Sequence, residues 1–191
     1  RRRPGQSKVV TYRKESDTVH ILSGVFEGKT TGAPIAMIIY NQDQRSENYD
    51  DLKDVFRPGH ADFTFYRKYG LRDHRGGGRS SGRETACRVA GGAVAKELLA
   101  RRGVRIVAHT VELAGIRAQT CDYDAIEGNP VRCADPEAAK AMEEAVLAAR
   151  KDCDSVGGIV QLEILGVPPG LGDPVFGKLD ARRAAGQLPF A

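Results

Sequence analysis

The residues best suited to chemistry in this chain lie between Arg57 and Glu84. Gly76-Gly77-Gly78-Arg79-Ser80-Ser81-Gly82-Arg83-Glu84 is a glycine-rich loop running straight into a capped helix start. Unpaired N–H groups at a helix start, reinforced by the helix dipole, favour an anion. Arg79 and Arg83 add full charges whose planar forks can grip phosphate, and Ser80 and Ser81 add hydroxyls. The alternative for the same residues is a flexible loop with solvated arginines. The pattern is not the phosphate loop that ends in Gly-Lys-Ser/Thr. Nor is it a dinucleotide fingerprint, since no strand followed by G-x-G-x-x-G is present.

A second candidate lies just upstream, in Arg57-Pro58-Gly59-His60-Ala61-Asp62. Pro58 and Gly59 make a stiff turn that presents His60. A histidine can hold or donate a proton near neutral pH, and Asp62 or a backbone carbonyl could orient it. An isolated histidine carries little information, so a structural role stays open; the neighbouring basic loop favours function. His20 and His109 sit in strand patterns with no ligand spacing and read as structural, whereas His74 lies in the basic loop and is ambiguous. The basic start, Arg1-Arg2-Arg3 through Lys8, is either a solvated arm or a set of phosphate-grasping side chains. Cys87, Cys121, Cys133 and Cys153 are too widely spaced for a metal knuckle or a disulfide framework. They read as reduced thiols, with Cys87 a small core residue on a helix. No metal site is expected.

The elements that must position these groups follow from the pattern. Val19–Phe26 and Pro34–Tyr40 read as strands of a hairpin turning at Gly28–Gly32, the second strand buried on both faces. A turn of helix is expected near Tyr49–Lys53, and Arg67–Gly78 has no periodic apolar face. A helix begins at Ser80 or Ser81, with Ser81 and Glu84 spaced as a capping box and a small-residue apolar stripe from Ala86 to Leu99. Gly103 is its expected stop. Val104–Ile116 reads as a strand, Asp135-Pro136-Glu137 as the start of a helix to about Lys151, and Gly158–Val167 as a half-exposed strand. Asp173-Pro174 reads as opening a last helix through Leu179. The sequence of elements argues for an α+β chain of mixed layers, in a single domain over 1–191.

Bulk composition fits this reading. The 191 residues are 41% hydrophobic and 28% charged, an ordinary globular balance. No apolar run approaches the ~20 residues needed to span a bilayer, and no apolar segment follows the basic start as in a signal peptide. The expected location is the cytoplasm. The net charge of +4 is modest, and interleaved aromatic platforms are lacking, so a nucleic-acid partner is not expected.

Several runs, in order along the chain, resemble bacterial chorismate synthase. They are RRRPG, ILSGVFEGKTTGAPIAMII, NQDQRS, DVFRPGHADFTFYRKYGLRDHRGGGRSSGRETACRVAGGAVAK and GVPPGLGDPVFGKLDA. RPGHAD and RGGGRSSGRETA are long and specific. The resemblance implies a β-α-β sandwich, partial here, and a homotetramer at full length. It implies a carbon–oxygen lyase of the shikimate pathway and of aromatic amino acid biosynthesis. Such a lyase removes phosphate from 5-enolpyruvylshikimate 3-phosphate by 1,4-anti elimination, giving chorismate. Reduced FMN is required without net redox change, and some members use NADPH to reduce it.

By the same resemblance, His60 falls on a histidine that protonates reduced flavin, and Arg79, Ser80 and Ser81 fall on FMN contacts. Arg57 and Arg83 fall on positions that hold the anionic substrate, and Arg2 and Lys8 on basic positions for NADP or substrate phosphate. A family segment with a GESHG-type histidine precedes the first matched residues, the family continues beyond KLDA, and Arg182–Ala191 does not match that continuation well. The expectation is therefore a truncated chain. The alternative reading is an inactive fragment that retains only the anion-binding site.

Overall fold

The backbone chemistry of the turns decides where the elements break. Glu27 and Gly28 both take positive φ, 48° and 74°, which suits a two-residue hairpin turn and only a glycine tolerates freely. The computed structural model describes residues 4–10, 13, 15–43, 45–76 and 81–188 of the chain. They fall into two compact units, one within residues 15–94 and 170–188, the other within residues 4–13 and 95–169.

In the first unit the expected hairpin is two nested ones. β1 (Val19–Ile21) pairs antiparallel with β4 (Met37–Ile39), while β2 (Val25–Phe26) pairs with β3 (Lys29–Thr30) across Glu27-Gly28. The turn is therefore not at Gly28–Gly32. Gly24 causes the break, because a Cβ there would lie 2.7 Å from the Pro34 carbonyl oxygen. β4 is half-buried and not covered on both faces. A 3-10 helix spans Ser46–Leu52, where a turn of helix is expected. The structure adds a helix that periodicity misses, α1 (Asp62–Tyr69), closed by Gly70 at φ 72°.

Ser81 caps the next helical segment, but not as a capping box. Its Oγ accepts from Arg83 N at 3.3 Å, while Glu84 pairs with Arg88 at 2.7 Å instead of reaching back. A 3-10 turn, Gly82–Glu84, leads into α2 (Thr85–Ala100). The expected apolar stripe lies on this helix, yet only Ala86 is buried; Cys87 is exposed, so it is not a core residue. Gly103 stops the helix as expected, at φ 77° with its N–H on the Ala100 carbonyl.

The second unit holds a sheet ordered β6-β5-β7, all antiparallel, from β5 (Arg105–Leu113), β6 (Ile116–Arg117) and β7 (Gly158–Leu165). Ile116 is thus on a return strand, because Ala114 and Gly115 turn the chain at φ 53° and 77°. α3 (Pro136–Lys151) starts where Asp135 and Pro136 predict it, and Asp135 accepts from Glu137 N and Ala138 N at 3.0 and 3.2 Å. Buried Val131, Cys133, Ala139 and Met142 form the main core, with Leu113, Ile116 and Ala118 packed on it. Back in the first unit, α4 (Leu179–Gln187) begins where the sequence expectation ends its last helix. Asp173 does not cap it: its N–H bonds the Gly177 carbonyl at 3.0 Å and closes a bridge. The chain is α+β, and no helix among the described residues is long and apolar enough to cross a membrane.

Candidate active site

Asp62 is the centre of the best-formed polar cluster. It is the first residue of α1 and is buried, at 3% exposure. A buried carboxylate persists only when its charge and lone pairs are met. Arg57 meets them through a fork, Nε to Oδ2 at 2.8 Å and Nη2 to Oδ1 at 2.9 Å, and its backbone N–H adds a bond of 3.2 Å. The Arg57 guanidinium holds the Asp62 carboxyl far below the usual carboxylate range, against the opposing effect of burial. Asp62 in turn raises Arg57.

Arg72 is the second partner of Asp62. Its Nη1 donates to Asp62 Oδ2 at 2.9 Å and to the Val55 carbonyl at 3.0 Å. Its Nη2 donates to the carbonyls of Leu52 and Lys53 at 2.6 and 2.7 Å, and its guanidinium lies over the Phe56 ring. Arg72 thus ties the end of the 3-10 helix to the start of α1. Tyr49, on that 3-10 helix, supports Arg57 from the other side, its ring 5.5 Å from the guanidinium carbon. A Cβ on Gly76 would lie 2.7 Å from the Tyr49 ring, so the first loop glycine is fixed by close packing.

His60 sits on this frame. Gly59, at φ 67°, turns the chain, and His60 Nδ1 lies 3.2 Å from Arg57 Nη2 and 3.0 Å from Asp62 Oδ1. The His60 side chain is 25% exposed, so part of it reaches the surface. Asp62, one of the two orienting groups the sequence offers, is in contact with His60, and Arg57 is added to it.

Arg83 has a different environment. Its Nη2 pairs with Asp17 and lies 3.3 Å from Glu15 Oε2. Glu15 is itself buried and accepts from the backbone N–H groups of Gln42 and Asp43 at 3.0 and 3.2 Å. Arg83 therefore joins the segments before β1 and after β4 to the start of α2, with its charge already compensated. Lys8 belongs to the second unit, exposed, with its carbonyl accepting from Arg150 Nη1. Arg2, Arg79 and Ser80 lie outside the described residues.

The other histidines stand apart. His20 makes an edge contact with Tyr40. His74 is half-buried between the paired Asp73 and Arg75. His109 is buried beside Glu163, which also accepts from the Tyr123 hydroxyl at 2.5 Å; that bond pushes the Tyr123 hydroxyl up to about 12. Among the described residues no group of His, Cys, Asp and Glu could hold a metal ion.

The protein-family model for chorismate synthase matches residues 1–188. The chain belongs to the chorismate synthase family. It is 61% identical over 185 residues to chorismate synthase of Methanosarcina mazei, covering 95% of this chain and 51% of that protein. With the chorismate synthase of Desulfatibacillum aliphaticivorans it shares 56% over 188 residues, 98% of this chain and 52% of the relative. A crystal structure of chorismate synthase matches with a TM-score of 0.71 at 29% identity, over 90% of this chain and 52% of that one. The chain thus spans about half the length of the chorismate synthases it matches.

Sequence reasoning missed Arg72, Tyr49, Glu15 and Asp17. Arg72 had a weak signal, an arginine among charged residues just upstream of the glycine loop. Glu15 and Asp17 had none, because their partner Arg83 is distant in sequence.

Proposed function

We propose that this chain carries part of a chorismate synthase active site. On this reading it serves the 1,4-anti elimination of phosphate from 5-enolpyruvylshikimate 3-phosphate, with reduced FMN. Family membership over residues 1–188, with His60 set in a cluster of Arg57 and Arg72 around the buried Asp62, is the observation that carries the reading. When bound, reduced flavin would supply transient electron density for breaking the carbon–oxygen bond.

The donor set suits such ligands. Arg57 Nη1, His60 Nε2 and the Ser81 hydroxyl hydrogen are further donors of this set, not used in the bonds described above. Donors of this kind match the carbonyl, carboxylate and phosphate oxygens of a flavin nucleotide and a phosphorylated dicarboxylate. Ser81, with Arg79 and Ser80, would hold FMN. Arg57 would meet the substrate through Nη1, and Arg83 would join it by exchanging its bonds to Asp17 and Glu15. Arg2 and Lys8 would serve NADP or substrate phosphate, with NADPH as the flavin's reductant. His60 would act as the acid at the flavin. The 191 residues form part of a single domain on this reading, one that assembles as a homotetramer in the cytoplasm.

The test is an anaerobic titration with reduced FMN, with and without the phosphorylated substrate. Substrate-dependent flavin binding that weakens in Ser81→Ala is expected. Substrate binding with no flavin binding would instead support an inactive fragment that keeps only the anion site.

A further inference from the structure

His60 Nδ1 has two neighbours that make opposite demands on it. Arg57 Nη2 is 3.2 Å away and Asp62 Oδ1 is 3.0 Å away. A guanidinium has only donors, so its bond needs a bare Nδ1. An ionised carboxylate only accepts, so a bond to it needs a proton on Nδ1. The two demands belong to two protonation states of the ring. A neutral ring can meet only one of the two demands: with Nδ1 bare it accepts from Arg57 and carries its proton on Nε2.

We propose that Arg57 and Asp62 are positioning residues for His60: Arg57 holds the neutral ring as its Nε2–H tautomer, and Asp62 accepts Nδ1–H when the ring is charged. Nε2 then carries a proton in both resting states, and His60 faces its partner as a donor in both. Asp62 also fixes Arg57 itself, through the fork that aims Nη2 at the ring. When the charged ring gives up its Nε2 proton, Nδ1–H stays on Asp62 and the bond from Arg57 is missing. That neutral form is the less favoured one, and exchange of protons with solvent returns the ring to Nε2–H. The tautomer assignment stands on the geometry alone; the role of Nε2 as the donating atom rests on the reading of His60 given above.

The experiment is long-range ¹H–¹⁵N NMR of the whole chain on the high-pH plateau of the His60 signals, where they no longer change with pH. The expected His60 signature is a pyridine-type Nδ1 and a pyrrole-type Nε2. In Arg57→Ala only Asp62 faces Nδ1, and the two signatures are expected to exchange. Asp62 keeps Arg72 in that variant, so its charge stays paired. A pyrrole-type Nδ1 in the unsubstituted chain overturns the proposal, and so does an unchanged tautomer in Arg57→Ala. If Arg57→Ala does not fold, the spectrum of the unsubstituted chain decides alone. The spectrum decides the tautomer whether or not phosphate is released, so the two readings fail separately. In turnover, Arg57→Ala is expected to lower kcat about 100-fold, the scale of a misplaced acid, in addition to any rise in KM from the lost Nη1 contact with substrate. An effect confined to KM would overturn the positioning role.

Discussion

At the residue scale, one buried carboxylate organises the site. Asp62 joins the RPGHAD turn to Arg72, and through Arg72 to the carbonyls of Leu52, Lys53 and Val55. Removing one partner of a buried pair leaves uncompensated charge, which costs far more than losing a surface pair. Asp62→Asn is therefore expected to destabilise the chain by about 3 kcal/mol at pH 7, read from denaturant unfolding. The same change at the exposed Asp73, paired with Arg75, should leave the midpoint unmoved. The sign of the pH dependence follows from the direction of the shift. Asp62 is held low in the folded state, so its stabilisation is complete above its unfolded value of about 3.9. It is lost as pH falls from there toward the folded value. The gap between the unsubstituted chain and Asp62→Asn should thus be full at pH 7 and narrow steadily as pH falls below about 4 toward the folded value; a constant gap would contradict this account.

At the element scale, the legible parts were those with local signals. α3 begins at the residue that Asp135 and Pro136 mark, and α2 stops at Gly103, because a cap and a left-handed glycine need only neighbouring atoms. α1 was missed because its residues, DFTFYRKY, place aromatics on several faces and leave them exposed, so no apolar stripe marks it. The helix expected from Asp173 failed because a bond to Gly177 competes locally with the helical pattern. The frame around Arg83 depends on contacts distant in sequence, for which no spacing rule exists. α3 also carries the main core: Met142 is fully buried against Val131, Cys133 and Ala139. Met142→Ala is expected to cost about 3 kcal/mol in unfolding, the usual scale for a large core truncation. Loss of well under about 1 kcal/mol would show that this core is loosely packed.

At the scale of the whole molecule, each unit leaves large apolar groups in water. Phe63, Tyr69 and Leu71 are 55%, 55% and 71% exposed in the first, and Leu98, Ile159 and Val160 are 60%, 54% and 69% exposed in the second. Large apolar groups left in water can mark surfaces on which something else packs. The chain spans about half the length of the chorismate synthases it matches, which agrees with that surface. The isolated chain is accordingly expected to bind a hydrophobic dye such as ANS strongly at neutral pH without denaturant; no enhancement would mean these faces are covered. The proposed role of His60 and its frame is in the family's elimination. Its most direct test is phosphate release from 5-enolpyruvylshikimate 3-phosphate with reduced FMN under anaerobic conditions, in the unsubstituted chain and in His60→Ala. Release that falls at least about 100-fold in His60→Ala is the predicted result. Release that is indifferent to His60 would contradict it.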